Sequence, residues 1–164
     1  MNKKGRSQTP PSHGSGAVGL TIRDARPADS RALAALIGQL GYPASAAAVA
    51  RRVERLRASE ADRLVVAEVD GEVVGVAAVH TSLSVEYDEP AAKLSAIVVD
   101  ERHRRRGIGE ALVAAMETEA RRRGCCLLFL TTAERRDDAH AFYRRLGFED
   151  TGRRFAKRLT HCRR

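Results

Sequence analysis

Leu94–Ser95–Ala96–Ile97–Val98–Val99, then Arg104–Arg105–Arg106–Gly107–Ile108–Gly109, is the stretch on which the fold turns. An apolar, β-rich run leads into a short basic glycine turn. Beyond it Ile108, Leu112, Ala115, Met116 and Ala120 recur at helical spacing. The order is strand, turn, helix. Glycine lets the backbone turn tightly and keeps side chains out of a ligand's way. The first helical turn leaves backbone N–H groups unpaired, and its dipole favours an anion. Three arginines add positive charge beside those donors. The physical reading is a phosphate site, with pyrophosphate as the favoured anion. The alternative is an ordinary strand-to-helix turn carrying a solvated basic run.

Other glycine-rich phosphate loops do not fit. No Gly-Lys-Ser/Thr ending of a Walker loop occurs. A dinucleotide fingerprint needs a third glycine, and Glu110 follows the second one here.

With its context, the turn resembles the coenzyme A motif of the GCN5-related N-acetyltransferase (GNAT) family, Arg/Gln-x-x-Gly-x-Gly/Ala. Arg104, Gly107 and Gly109 meet that pattern. A second block, Asp138–Ala139–His140–Ala141–Phe142–Tyr143–Arg144–Arg145–Leu146–Gly147–Phe148, resembles the family's C-terminal helix with its tyrosine and Gly-Phe ending. The separation of the two blocks fits one further helix and strand. The resemblance covers roughly residues 20–160.

The chain has 164 residues, 43% hydrophobic and 30% charged, which suits one globular domain with a sizeable core. Aromatics are 4% and Trp is absent, so Ala, Val and Leu must build that core. No apolar run approaches a membrane span. The net charge of +8 would attract nucleic acid, anionic membrane or an anionic cofactor. Coenzyme A accounts for part of it. Zinc-finger spacing and an aromatic–basic stacking surface are lacking, so specific nucleic-acid binding is not expected. Cys125, Cys126 and Cys162 form neither a disulfide framework nor a metal site. Cys125 and Cys126 read as buried thiols on opposite strand faces, Cys162 as a tail residue. Localisation is expected to be cytoplasmic. Self-association as a homodimer is compatible with this reading.

Residues 1–19, rich in Gly, Ser, Pro and Lys, read as a disordered arm. The domain is expected over 20–160, and 161–164 form a basic tail. Within the domain, Leu20–Asp24 reads as a strand. Pro27 opens a helix with Leu33, Leu36, Ile37 and Leu40 on its apolar face, stopped by Gly41. Ser45 caps a second helix with Val49, Val53 and Leu56. Leu64–Val69 and Val73–Val79 pair around Asp70–Gly71, a strong hairpin signal. Thr81–Pro90, polar and acidic, reads as a loop, and Lys93–Val99 as the next strand. The helix from Ile108 ends at Arg121–Arg122–Arg123–Gly124, where positive charge meets the negative end of the dipole. Cys125–Thr131 is a strand. Asp137 or Asp138 caps the next helix, which bears Ala139, Phe142 and Leu146. A final strand pair is expected from Phe148 onward and over Phe155–Leu159. The order β-α-α-β-β-β-α-β-α-β-β matches the family layout, a mixed α/β sheet with helices on both faces.

The resemblance implies an acetyl-coenzyme A-dependent N-acetyltransferase. In the family the strands on either side of the phosphate loop's helix splay apart, and the coenzyme's pantetheine arm lies between them. By position, Ile97, Val98 and Val99 would hold that arm through their main chain. The pyrophosphate would lie on the amides of Arg105, Arg106, Gly107, Ile108 and Gly109, with Glu110 beside them and Arg104 shaping the turn. The Val99 amide would stabilise the oxyanion. Tyr143 matches the family tyrosine that protonates the departing thiolate; core packing is its other reading. For the general base, His80 closes a strand and carries the side chain suited to proton transfer near neutral pH. Glu86, Asp88 and Glu89 would lie where the substrate cleft opens, as base or as cation attractant, or as solvated charges. His103 is placed at solvent or phosphate, and His140 at the surface.

Two positions depart from the family pattern. Arg136 stands where many members carry Asn, and would approach a coenzyme phosphate instead. Glu101 replaces the usual Pro after the cofactor strand. The acceptor is expected to be the primary amine of a small cationic molecule. The alternatives are a protein or peptide amine, or a regulatory module that binds acyl-coenzyme A without turnover. No metal is expected.

Overall fold

The computed structural model describes residues 19–132 and 137–152. The arm at 1–18, Arg136, the expected strand Phe155–Leu159 and the tail at 161–164 lie outside them. Among the described residues five strands form one sheet in sequence order: β1 (Leu20–Asp24), β2 (Asp62–Val69), β3 (Glu72–Ser84), β4 (Tyr87–Val99) and β5 (Leu127–Phe129). The first four pair antiparallel, while β4 and β5 are parallel. The helices are α1 (Ser30–Gln39), α2 (Ala46–Arg57), α3 (Ile108–Arg122) and α4 (Asp137–Arg145). The acyltransferase architecture expected from the sequence is therefore present.

Local chemistry sets the element ends. Pro27 opens a 3₁₀ turn, Pro27–Asp29, rather than α1 itself. The Ser45 hydroxyl accepts the Ala48 N–H at 3.2 Å and caps α2. Asp70 and Gly71 both take positive φ, 51° and 82°, the geometry a two-residue hairpin turn needs. Gly124, at φ 73°, follows the C-terminus of α3.

Each face of the sheet buries its own core. On one face α3 lays Ile108, Leu112, Val113, Met116 and Ala120 over Val65, Ala67, Ala77, Val79, Ala92 and Leu94. Gly75 lets α3 approach: a Cβ there would sit 3.1 Å from Leu112 Cδ1 and 3.3 Å from the Val98 carbonyl. On the other face Leu33 and Leu36 of α1 and Val49 and Val53 of α2 cover Val66, Val76 and Val98. Burying each such side chain contributes about 1.5–3 kcal/mol.

Several expectations change. Thr81–Pro90 is not a loop. Most of it continues β3 and β4 into a long hairpin that turns between Ser84 and Tyr87. β5 is shorter than Cys125–Thr131. Asp137 and Asp138 are already helical rather than caps. No strand forms over 148–152 among the described residues. Cys126 is exposed and Cys125 half-buried, so neither is a fully buried thiol.

The arginine run after α3 does more than meet the dipole. Glu119 is 1% exposed. Its carboxylate accepts from Arg63 Nη1 at 2.6 Å, from Arg122 Nη2 at 2.7 Å and from Arg123 Nε at 2.6 Å. Arg123 also donates to the carbonyls of Glu60 and Asp62. The cluster ties the end of α3 to β2. These charge-assisted bonds, Arg122 foremost, hold the Glu119 carboxyl below the usual carboxylate range against its desolvation.

Candidate active site

β4 and β5 share three register pairs, Ala91–Leu127, Ala92–Leu128 and Lys93–Phe129, and then part. Among the described residues β4 continues to Val99 paired only with β3. The register with β3 slips between Ala78–Ala96 and Val79–Leu94, leaving Ser95 as the extra residue of a bulge. Its hydroxyl donates to the Ala78 carbonyl at 3.2 Å. A bulge bends and twists its strand, and here it falls where the two strands separate. Beyond it, Ile97, Val98 and Val99 border the gap, and among the described residues their main chain pairs with β3 and not with β5.

At the end of β4, Asp100 organises the turn. Its carboxylate accepts from the Arg102 N–H at 2.9 Å, from Arg102 Nε at 3.0 Å and from Gln39 Nε2 at 3.2 Å. Those bonds, the Arg102 side chain first, hold the Asp100 carboxyl well below its ordinary value. A 3₁₀ turn, Glu101–His103, follows. Glu101, at the usual proline position, uses its N–H to reach Gln39 Oε1 at 3.3 Å, a bond proline could not make. His103 is half-buried, with Nδ1 3.5 Å from Asp100 Oδ1.

The basic turn itself is exposed from Arg104 to Gly107. Arg104 Nε donates to the Val99 carbonyl at 3.2 Å, which closes the turn back onto the strand. Arg105 has φ 61° and Gly107 φ 77°. A left-handed arginine costs about 1–3 kcal/mol, and such residues cluster at ligand clamps. Gly107 is the N-cap of α3, and no side chain caps that helix. Its first-turn amides thus face the basic turn without a side-chain acceptor.

α4 packs against this end of α3. A Cβ on Gly109 would lie 3.2 Å from the Phe142 ring. Arg145 Nη2 donates to Glu110 Oε1 at 2.6 Å. Tyr143 follows Phe142, with its ring edge-on to Phe148 at 5.7 Å and packed on the core that includes Ile97 and Val99. The basic turn, the end of β4 and Tyr143 are therefore brought together.

His80 lies on β3 opposite Lys93, and Lys93 opposite Phe129, the last pair before the gap. It sits on the face that α1 and α2 cover further along the sheet. Its Nδ1 is 2.9 Å from Asp62 Oδ1, a partner unforeseen from sequence. Glu86 is elsewhere. It occupies the exposed hairpin turn, bonded to the Ser84 hydroxyl at 3.2 Å. Seven residues of strand, roughly 20 Å, separate it from Lys93. Asp88 and Glu89 share its exposure. His140 is half-buried on α4.

A mixed sheet whose one parallel pair opens onto an uncapped helix N-terminus is the architecture of an acyl-coenzyme A-dependent N-acyltransferase. The sequence matches the Acetyltransferase (GNAT) family over residues 33–148, and the chain belongs to that family. It is 37% identical to the aminoalkylphosphonate N-acetyltransferase of Salmonella typhimurium over 90 residues, 55% of this chain and 58% of that enzyme. It is 33% identical to the aminoglycoside N(6')-acetyltransferase type 1 of Stenotrophomonas maltophilia over 137 residues, 81% of this chain and 88% of that enzyme. Among solved structures, a transcriptional regulator from Bacillus halodurans C-125 superposes with TM-score 0.78 at 26% identity, over 85% of this chain and 99% of that one. The aminoglycoside N-acetyltransferase AAC(6')-Iy in complex with CoA superposes with TM-score 0.75 at 23% identity, over 87% and 95%, a likeness of fold. Among the described residues no helix is long and apolar enough to cross a membrane.

Proposed function

We propose that the protein transfers acetyl from acetyl-coenzyme A to the primary amine of a small molecule. The observation that carries this reading is the gap between β4 and β5, which runs directly into the basic turn and the uncapped start of α3. Pantetheine amides pair with Ile97, Val98 and Val99, and the pyrophosphate sits on the amides of Arg105 to Glu110. Arg104 braces the turn, and Arg136 supplies a further charge to the coenzyme. Holding the thioester in the gap gives the amine a fixed line of attack. The Val99 amide meets the developing oxyanion.

The amine must be neutral to attack. His80 accepts its proton, directly or through one water. The nitrogen lone pair then forms the amide bond as the carbon–sulfur bond breaks, and Tyr143 protonates the sulfur. Glu86, at the distal turn, and Asp88 and Glu89, at the start of β4, draw in a cationic acceptor rather than take its proton. Both named relatives act on amines of small molecules, an aminoalkylphosphonate in one and an aminoglycoside in the other, which supports this substrate class.

The test is release of coenzyme A thiol from acetyl-coenzyme A against aminoglycosides, aminoalkylphosphonates, polyamines, amino acids and lysine peptides. The reading expects one small-molecule class to release thiol in step with amide formation. Turnover on peptides alone would move the assignment to protein amines. Coenzyme binding with no acceptor in any class would make the protein a regulatory module.

A further inference from the structure

We infer that Asp62, braced by Ser59, is a positioning residue that fixes the tautomer of His80 and leaves its Nε2 as the proton acceptor of the acetyl-transfer site. The inference rests on the acetyltransferase reading and goes beyond it by naming how the base is set. Asp62 opens β2 and stands in register with His80 of β3. Asp62 Oδ1 lies 2.9 Å from His80 Nδ1, and Oδ2 accepts from the Ser59 hydroxyl at 2.7 Å. The Asp62 main chain is pinned as well: its carbonyl accepts from Arg123 at 3.3 Å, and its N–H bonds the Ser59 carbonyl at 3.4 Å. Both carboxylate oxygens are thus engaged from two sides.

An ionised carboxylate only accepts hydrogen bonds. The ring nitrogen facing it must therefore carry the proton, so the other nitrogen of the neutral imidazole is the lone pair. The Asp62 side chain is 19% exposed and that of His80 46%, so the orienting group is shielded while the base reaches solvent. Lys93 of β4 is the charged neighbour on the other side, directly in register. It leads to Phe129 and the gap, roughly two strand spacings, or about 10 Å, from the imidazole. An acceptor whose amine reaches from the gap across Lys93 towards β3 would come within hydrogen-bond reach of Nε2, directly or through one water.

In the reaction, Nε2 takes a proton from the substrate ammonium and Nδ1–H stays on Asp62. The amine's N–C bond forms and its nitrogen gives up a second proton to water, the thioester's C–S bond breaks, and the sulfur's electron pair receives the Tyr143 proton. Water relieves the imidazolium and restores the phenol. The orienting hydrogen bond persists throughout, and Ser59 keeps the carboxylate from turning away.

Nitrogen-15 NMR of the imidazole in the full-length protein reads the tautomer without any acceptor. The inference expects His80 as the Nδ1–H form in the wild type and a mixture in Asp62→Asn. Where an acceptor is in hand, Asp62→Asn should lower kcat at least about tenfold, part of the 10²–10⁴ of general base catalysis, with the KM for acetyl-coenzyme A unchanged. Ser59→Ala should lower it less. The double variant His80→Gln with Asp62→Asn should be no slower than His80→Gln alone. Thermal midpoints report folding of each variant. A wild-type Nε2–H tautomer, or a folded Asp62→Asn with wild-type kcat, overturns the inference. Failure of the wild type to bind acetyl-coenzyme A would instead count against the acetyltransferase reading, while the tautomer still decides the role of Asp62.

Discussion

Gly107 takes φ 77° with nothing within 4 Å of where a Cβ would stand, so what it supplies is backbone freedom rather than room. A β-branched residue would resist that left-handed conformation by about 1–2 kcal/mol and displace the amides around it. Gly107→Val should therefore weaken coenzyme A binding at least tenfold, about 1.4 kcal/mol, in a variant whose circular dichroism is unchanged. Tyr143→Phe keeps the edge-on contact with Phe148 and removes the hydroxyl alone. Single-turnover rates on one acceptor should fall about 10²–10⁴-fold with coenzyme affinity intact; equal rates would leave Tyr143 as a packing residue. Both residues are visible in the sequence because each belongs to a local pattern, a glycine pair after a strand and an aromatic pair before Gly-Phe. Asp62 is not. Counting back from the Asp70–Gly71 turn pairs Asp62 with Val79, and only the register slip at Ala67 and Glu68 brings it opposite His80. The slip leaves Val74 as the extra residue beside Gly75, and a lone glycine in a strand marks a possible bulge without fixing the register beyond it.

At the scale of elements, α3 carries the basic turn at one end and the arginine-clamped Glu119 at the other, and it rests on Gly75 between them. Gly75→Ala would force Leu112 and the Val98 carbonyl to shift, an overpacking that costs about 1–3 kcal/mol, read as a lower urea midpoint at constant m-value. Glu119→Gln removes the negative charge that Arg63, Arg122 and Arg123 share and turns one of its two acceptor oxygens into a donor. Breaking such a buried pair costs about 3 kcal/mol, taken at the low end because the arginines reach water. The hydrophobic spacing announced α1, α2 and α3 because each has one covered face. It failed over Thr81–Pro90 for the converse reason. Leu83 and Val85 are 80% and 106% exposed, so no layer imposes an alternating pattern there. The bulge in β4 did leave a trace. Ala92 and Leu94 face α3, then Ile97 and Val99 do, a change from even to odd numbers that marks Ser95 as the extra residue.

For the whole molecule, acid stability follows from its depressed carboxyls. Glu119 and Asp100 are both held below their ordinary values by arginine hydrogen bonds. A group whose folded pKa is depressed contributes stability that is complete above its unfolded pKa and is lost as pH falls through the folded one. Urea midpoints should thus decline below about pH 4.5, and Glu119→Gln should show a shallower acid decline than the wild type. The net charge of +8 has a second consequence. Binding to nucleic acid should be weak, steeply reduced by salt and readily displaced by coenzyme A. Coenzyme binding at the basic turn is tested most directly by a calorimetric titration of acetyl-coenzyme A into the wild type and Gly107→Val. The expected result is one site per chain in the wild type and at least tenfold weaker binding in the variant. A folded wild type that takes up no acetyl-coenzyme A, or equal affinities in the two proteins, would contradict it.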